Sequence, residues 1–366
     1  MTTEREQQIL SLLKRDPLIA QQAIAEQLGI SRSAVAGHIM NLTNKGVIRG
    51  KGYILGENKY AVVIGGANMD ILGRPMAHLK IGDSNLGSVT CSPGGVARNI
   101  AENLARIGTP TRLISAVGKD TYGQMVIQQS QLAGIDTQAC IEVTDAATST
   151  YLSVLDSTSD MHVAINDMAI LERLNPAMLK PHADMLRRAA LIVLDTNLSE
   201  ESLAYILSNF ADQPIFVDTV SCAKASKLKP YLSAIHTLKP NLQEAQQLSG
   251  MTISSEQDLP KLAEWFHEQG VQRVFLSLGQ QGVFYSDIAQ NAQQLIPAIP
   301  VAMTNANGAG DAFLAGLAHS YIQQLSIEDS TRYAMAAAVV ALSHLDTINP
   351  NMSDVSINRI LKELKC

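Results

Sequence analysis

The stretch "TNANGAGDAF", Thr304 to Phe313, sets Gly308, Ala309 and Gly310 directly before Asp311 and then continues into "LAGLAHSYIQ". A glycine-rich turn entering a helix exposes unpaired N–H groups, and the helix dipole adds positive potential there. Such a turn cradles an anion, and Gly308 and Gly310 let the backbone come close to it. Asp311 is at odds with a bare anion site, because a carboxylate repels phosphate. The conflict disappears if the carboxylate faces an attacking hydroxyl and takes its proton while the amides neutralise a transferring phosphoryl group. An Asp cap on an ordinary helix accounts for the same four residues, so GAGD by itself leaves both open.

The elements that must position this turn are legible in the surrounding pattern. From Tyr60 onward, "YAVVIGG", "RLISAVG", "ALIVLDTN", "PIFVDTV", "AIHTLKPN" and "RVFLSLG" are short apolar runs closed by Gly, Asp or Asn. Helical stretches such as "GVARNIAENLARIG" and "NLQEAQQLSG" lie between them. Apolar strands alternating with helices predict an α/β body with a mostly parallel sheet covered on both faces. Two segments break the rhythm. "TSTYLSVLDSTSDMHVAINDM" alternates with period two around a polar turn and predicts an antiparallel hairpin, with "KIGDSNLGSVTCSPGG" as its partner. These strands, near 72–93 and 148–168, would form a small β lid over a ligand.

Residues 1–58 read differently. "EREQQILSLLKRD" carries Ile9, Leu10, Leu12 and Leu13 on one helical stripe, "AQQAIAEQLGI" closes on Gly29, and "SRSAVAGHIMNLTNKG" starts on Ser31 and stops at Gly46. "VIRGKGYIL" follows as two short strands around Gly50–Gly52. Helix, glycine turn, helix and hairpin make a winged helix-turn-helix. Its DNA contacts would come from Ser31, Arg32, Ser33, Gly37 and His38 on the third helix, with Arg49 and Lys51 on the wing reaching phosphates. A packing module without DNA is the alternative. Segment 1–58 holds seven basic and five acidic residues, a balance of +2. Residues 59–366 hold 21 basic and 29 acidic, a balance of −8.

Bulk composition excludes several classes. The 366 residues are 46% hydrophobic and 17% charged, which fits folded globular material rather than disorder. No apolar run reaches membrane-spanning length, and "MTTEREQQIL" lacks a secretory core, so a cytoplasmic protein is expected. Cys91, Cys140, Cys222 and Cys366 form no CxxC pair and suggest neither a zinc site nor a disulfide framework.

Residues 60–360 resemble the PfkB/ribokinase family of sugar and nucleoside kinases. The first family signature is "GGVARNIAENLARIGTPTRLISAVGKDTYG", with Gly94, Gly95, Asn99, Ala101, Gly108 and Gly118 at the family spacing; the second is GAGD. Between them lie the NxxE element, Asn241 and Glu244, and "LSLGQQGVFY" with Ser277, Gly279 and Gly282. The resemblance implies a ribokinase-like α/β fold with a β lid and ATP-dependent phosphorylation. It implies Asp311 as catalytic base and Gly308, Ala309 and Gly310 as the anion hole. Asn68 and Asp70 of "GGANMD", with Gly94, Gly95 and Asn99, would hold the sugar. Ser277, Gly279, Gly282, Asn307 and Met335 would contact the nucleotide, Met335 at the adenine. Asn241 and Glu244 would organise Mg²⁺ through water, Glu244 being the metal residue. Asn305 stands where many members carry an Asp that helps bind a monovalent cation, so potassium activation is not implied.

Within that family, "GDSNLGSVTCSPGGVARNIA", "TSTYLSVLD", "VAINDM", "NLSEESL" and "FVDTVS" resemble the pseudouridine kinases. The subgroup implies pseudouridine as acceptor, with Asp83, Ser84, Asn85, Thr148, Ser149, Asn166 and Asp167 as lid polarity for a base, Asn166 foremost. Ribose, fructose or another nucleoside are the alternative acceptors, and a sugar-sensing regulator is the alternative to an enzyme. A homodimer is expected.

Overall fold

The computed structural model describes residues 2–48, 59–158, 160–301 and 307–363. The chain forms two compact units, residues 1–59 and 60–366.

The first unit has three helices, α1 (Glu4–Arg15), α2 (Gln21–Leu28) and α3 (Arg32–Asn44). Thr3 and Glu6 form a reciprocal capping box at the start of α1. Gly29, at φ 63°, ends α2 in the left-handed conformation, and the Ser31 hydroxyl caps α3 by accepting from Ala34 N. Ile9, Leu13, Ile24, Val35, Ile39 and Leu42 make the core. Of the expected stripe on α1, Ile9 and Leu13, four residues apart, are fully buried, while Leu10 and Leu12 flank the core. Buried Glu6 pairs with Lys45 at 2.8 Å and ties α1 to the end of α3. The expected wing, with Arg49 and Lys51, lies outside the described residues.

The strands of the second unit are β1 (Ala61–Ile64), β2 (Asn68–Pro75), β3 (Gly87–Gly94), β4 (Thr111–Ile114), β5 (Ala116–Gly118), β6 (Ile141–Val143) and β7 (Thr150–Leu155). They continue with β8 (Met161–Asp167), β9 (Leu191–Asp195), β10 (Ile215–Asp218), β11 (Thr237–Lys239), β12 (Arg273–Ser277), β13 (Val283–Asp287) and β14 (Ala292–Ile296). The helices are α4 (Val96–Ile107), α5 (Thr121–Leu132), α6 (Pro176–Leu179), α7 (Ala183–Arg188), α8 (Glu200–Asn209), α9 (Cys222–Ala225) and α10 (Leu242–Ser249). After them come α11 (Leu259–Glu268), α12 (Ala309–Ile322), α13 (Ile327–Leu342) and α14 (Asp354–Glu363).

The main sheet runs β14-β13-β12-β11-β10-β9-β1-β4, parallel from β12 to β4 and antiparallel at β13 and β14. Runs such as "AVVI" and "LIVLD" are buried throughout, and apolar but for Asp195, because helices cover both faces of the sheet. One apolar cluster packs α8, α10 and α11 on one side; the other packs α4, α12, α13 and α14 on the opposite side.

Two expectations need correction. "RLISAVG" is two strands: Ser115 donates its hydroxyl to Gly65 O at 2.7 Å and breaks the run, sending β5 to pair with β6 in a separate ribbon. The lid order is β3-β2-β7-β8, so the 87–94 strand does not pair with the hairpin. It pairs with β2, which continues from "GGANMD" and joins β7 in parallel. The polar turn between β2 and β3 hid β2 from the alternation pattern.

Candidate active site

The parallel sheet brings the carboxyl ends of β1, β9, β10, β11 and β12 to one edge, where open α/β sheets bind ligands. Gly308, at φ 80°, opens α12 with no side-chain cap, leaving its first amides to a ligand. A Cβ on Gly308 would lie 2.2 Å from Thr347 O, so only glycine makes this entry.

Asp311 sits half-buried in the first turn of α12. Its Oδ2 accepts from Asn99 Nδ2 at 3.0 Å, joining the two signatures across 212 residues. Burial and the nearby Asp218 carboxylate raise its pKa to about 7; Asn99 and Lys239 pull it down, and Asp195 pushes it up again. An acid poised near neutrality is suited to accept a hydroxyl proton.

Lys239 closes β11 beside the same helix end. Its Nζ lies 3.0 Å from where a Cβ of Gly310 would stand, and it pairs with Asp218 Oδ2 at 2.7 Å. Burial works against its charge, but Asp218, with Asp311 and Glu244 beyond, keeps its pKa above the ordinary lysine value. The cradle therefore holds one buried cation between Asp218 and Asp311. Neither Lys239 nor Asp218 stands out in the sequence; the signal was the lysine two residues before Asn241.

On the acceptor side, Asn68 Nδ2 donates to Asp70 Oδ1 at 2.5 Å. Burial lifts the Asp70 pKa, against the Asn68 hydrogen bond and the charge of Arg98. Gly94 faces the Asp70 carboxylate so closely that a Cβ would overlap it. Gly95, at φ 101°, lets α4 start against the Gly66 carbonyl, where a Cβ would approach to 2.5 Å. Fully buried Asp195 at the end of β9 binds these parts together. Its Oδ2 accepts from Gly66 N at 2.8 Å and Ala97 N at 2.9 Å, and its Oδ1 from Asn197 N at 2.8 Å.

Register puts Ser92, Asp70, Tyr151 and Asn166 in one row across the lid. Asn166 is exposed on edge strand β8, two strand spacings, about 10 Å, from Asp70. Tyr151 and Ser92 fill the row beside Asp70; period-two counting along each strand was the available signal, but it lacked the strand order. Buried Ser149 Oγ has no hydrogen-bond partner among the described residues, and the other lid polarity is used locally. Thr148 is held by Asp120 at 2.7 Å, Asp167 caps the following turn through Ala169 N, and Asp83, Ser84 and Asn85 form an exposed turn.

Where the nucleotide is expected, Asn241 and Glu244 cap α10 reciprocally, and Thr219 Oγ1 also donates to Glu244 Oε2 at 2.5 Å. An isolated bridge from Asn241 to Ser277 brings the turn at Gly279 and Gly282 alongside. Asn307 is exposed just before Gly308. Met335 is 6% exposed within the α12–α13 core, the packing role a methionine fills equally well. Among the described residues no cluster of three or more acidic, His or Cys side chains could cage a metal. Buried Glu244, near Lys239, suits Mg²⁺ held through water. Asn305 lies outside the described residues. In the first unit, Arg32 and Ser33 are exposed on α3 and His38 half-buried.

The chain belongs to the pfkB family of carbohydrate kinases, whose family model matches residues 58–354, and a winged helix-turn-helix DNA-binding model matches residues 2–49. It is 41% identical over 350 residues to the Uncharacterized sugar kinase YeiI of Escherichia coli (strain K12), covering 95% of this chain and 96% of that one. It is 43% identical over 310 residues to Pseudouridine kinase of the same organism, covering 85% of this chain and 99% of that one. Arabidopsis thaliana ribokinase, solved with ribose and ATP, superposes with a TM-score of 0.75 at 22% identity, over 84% of this chain and 99% of that one, a likeness of fold.

Proposed function

We propose that this kinase transfers the γ-phosphoryl group of ATP to the 5′-hydroxyl of pseudouridine. The observation that carries the chemistry is Asp311, raised to about 7 and held by Asn99 beside an uncapped helix end that faces buried Lys239. Asp70 and Asn68 orient the sugar hydroxyls. Asp311 takes the proton of the attacking hydroxyl. The amides of Ala309 and Gly310, with Lys239, balance the charge of the transferring group. Asn241 and Glu244 would hold Mg²⁺ through water, and the ion, when bound, would neutralise phosphate charge. The pseudouridine assignment draws on the 43% identity to Pseudouridine kinase and on the Ser92–Asp70–Tyr151–Asn166 row, which offers donors and acceptors to a base. An ATP-consumption panel with pseudouridine, uridine, ribose, fructose and inosine tests it. We expect kcat/KM for pseudouridine to exceed that for ribose and fructose by about tenfold or more, since a missing base leaves polar groups unpaired. Parity with ribose overturns the acceptor and leaves the family.

The winged helix-turn-helix supports a second activity, DNA binding through α3, with Ser31, Arg32, Ser33 and His38 toward the groove. So few cations on one copy call for two copies, and the lid supports a homodimer. Its other face carries the rows Cys91–Ile71–Leu152–Ile165 and Val89–Gly73–Val154–Val163, with Val89 70% and Ile165 62% exposed. Sedimentation of Ile165→Glu against the parent chain tests that face; an unchanged dimer places the contact elsewhere.

A further inference from the structure

Arg98 is buried in the first turn of α4, 4% exposed, directly before Asn99. Its guanidinium finds a partner at each of its three nitrogens. Nη1 donates to Pro93 O of β3 at 3.1 Å and to Asn99 Oδ1 at 3.4 Å, Nε donates to Ser130 Oγ of α5 at 3.4 Å, and Nη2 pairs with Glu102. Glu102 is in turn held by Arg106 at 2.7 Å. A guanidinium has donors only, so the Asn99 oxygen must turn toward Arg98. Its NH₂ is then left facing Asp311, 3.0 Å away. Asn103 Nδ2 donates to Asn99 O at 3.0 Å and fixes the backbone from below.

We propose that Arg98 is a positioning residue, anchored to the end of the lid strand, that locks the Asn99 amide with its NH₂ toward the catalytic carboxylate. A freely turning amide would present its oxygen to Asp311 part of the time, which favours the protonated acid over the base. The other groups facing Asp311 are Asp218 from β10 and Asp195 from β9, both repulsive, and Lys239 from β11, attractive. None of them touches Arg98, whose charged neighbours are Glu102, Arg106 and Asp70.

The proposal rests on Asp311 being the base, and its test needs neither acceptor nor turnover: the Asp311 carboxyl is titrated by carbon-13 NMR in the full chain. Arg98→Lys keeps a charge opposite Glu102 but removes the fork, and Arg98→Met removes both. We expect the midpoint to rise by about half a unit or more in Arg98→Lys, the size of one modest hydrogen bond. Asn99→Leu should raise it comparably, and Arg98→Lys added to Asn99→Leu should raise it no further. If Arg98→Met does not fold, Arg98→Lys decides. A midpoint unmoved in Arg98→Lys, or effects that add in the double variant, overturns the proposal. A substrate panel without phosphorylation would instead overturn the function and leave this titration standing.

Discussion

Asp311, as the proposed base, is held ready at a cost to the stability of the fold. With its pKa raised to about 7, the folded chain holds this proton more tightly than the unfolded chain. Its contribution is therefore least unfavourable at low pH and becomes increasingly destabilising as pH rises from the ordinary carboxylate range through about 7. Asp311→Asn keeps an oxygen for Asn99 and removes the charge. We expect turnover to fall by about two orders of magnitude or more, ATP binding to persist, and Tm at pH 8 to rise by a few degrees. Near-normal turnover would move the base elsewhere. In the parent enzyme kcat/KM is expected to climb with pH around 7. Asp218→Asn removes a repelling charge and frees Lys239 toward Asp311, so the ascending limb should shift to lower pH; a shift upward would contradict the charge arrangement drawn from Lys239 and Asp218. Asp70→Ala should raise KM for the sugar with nucleotide affinity little changed, measured by initial rates at saturating ATP. The motif wording pointed to Asp311, Asn99 and Asp70 as candidates. It did not reveal Asp218, Lys239 and Asp195, because their roles come from which strand ends lie side by side.

Among the elements, Asp195 is the joint. One carboxylate at the end of β9 takes the N–H groups of Gly66 after β1 and of Ala97 in the first turn of α4, a helix that has no side-chain cap of its own. Asp195→Asn would set an NH₂ against at least one of those donors. A loss of about 2 kcal/mol in denaturant unfolding is expected, with a higher KM for the acceptor because Asn99 and Gly95 ride on the same helix. Unchanged stability would mean that α4 is held by its apolar face alone. The lid is the element least legible beforehand. Its hairpin β7–β8 followed from period-two alternation, yet β2 slips between β3 and β7, and only that order sets Tyr151 between Asp70 and Asn166.

For the molecule as a whole, the charge divides along the chain, +2 in residues 1–58 against −8 in residues 59–366. An acidic body gives no non-specific help on DNA, so the proposed binding would have to come from the first unit. Deleting residues 1–58 is expected to leave phosphorylation intact and to abolish a salt-sensitive mobility shift on DNA upstream of the chain's own gene. A shift that survives the deletion, or is absent from the full chain, makes the first unit a packing or dimerisation module. Local chemistry was enough for much of this protein. Apolar strand runs, the helix cap at Ser31 and the glycine at position 308 follow from short-range rules of periodicity, capping and backbone freedom, which a linear chain displays directly. Strand order, the sharing of Asp195 among three segments, and the meeting of Asp311 with Asn99, Asp218 and Lys239 belong to the tertiary structure alone. Burial and Coulomb interactions depend on distances through space, and those are settled only when residues hundreds of positions apart pack together.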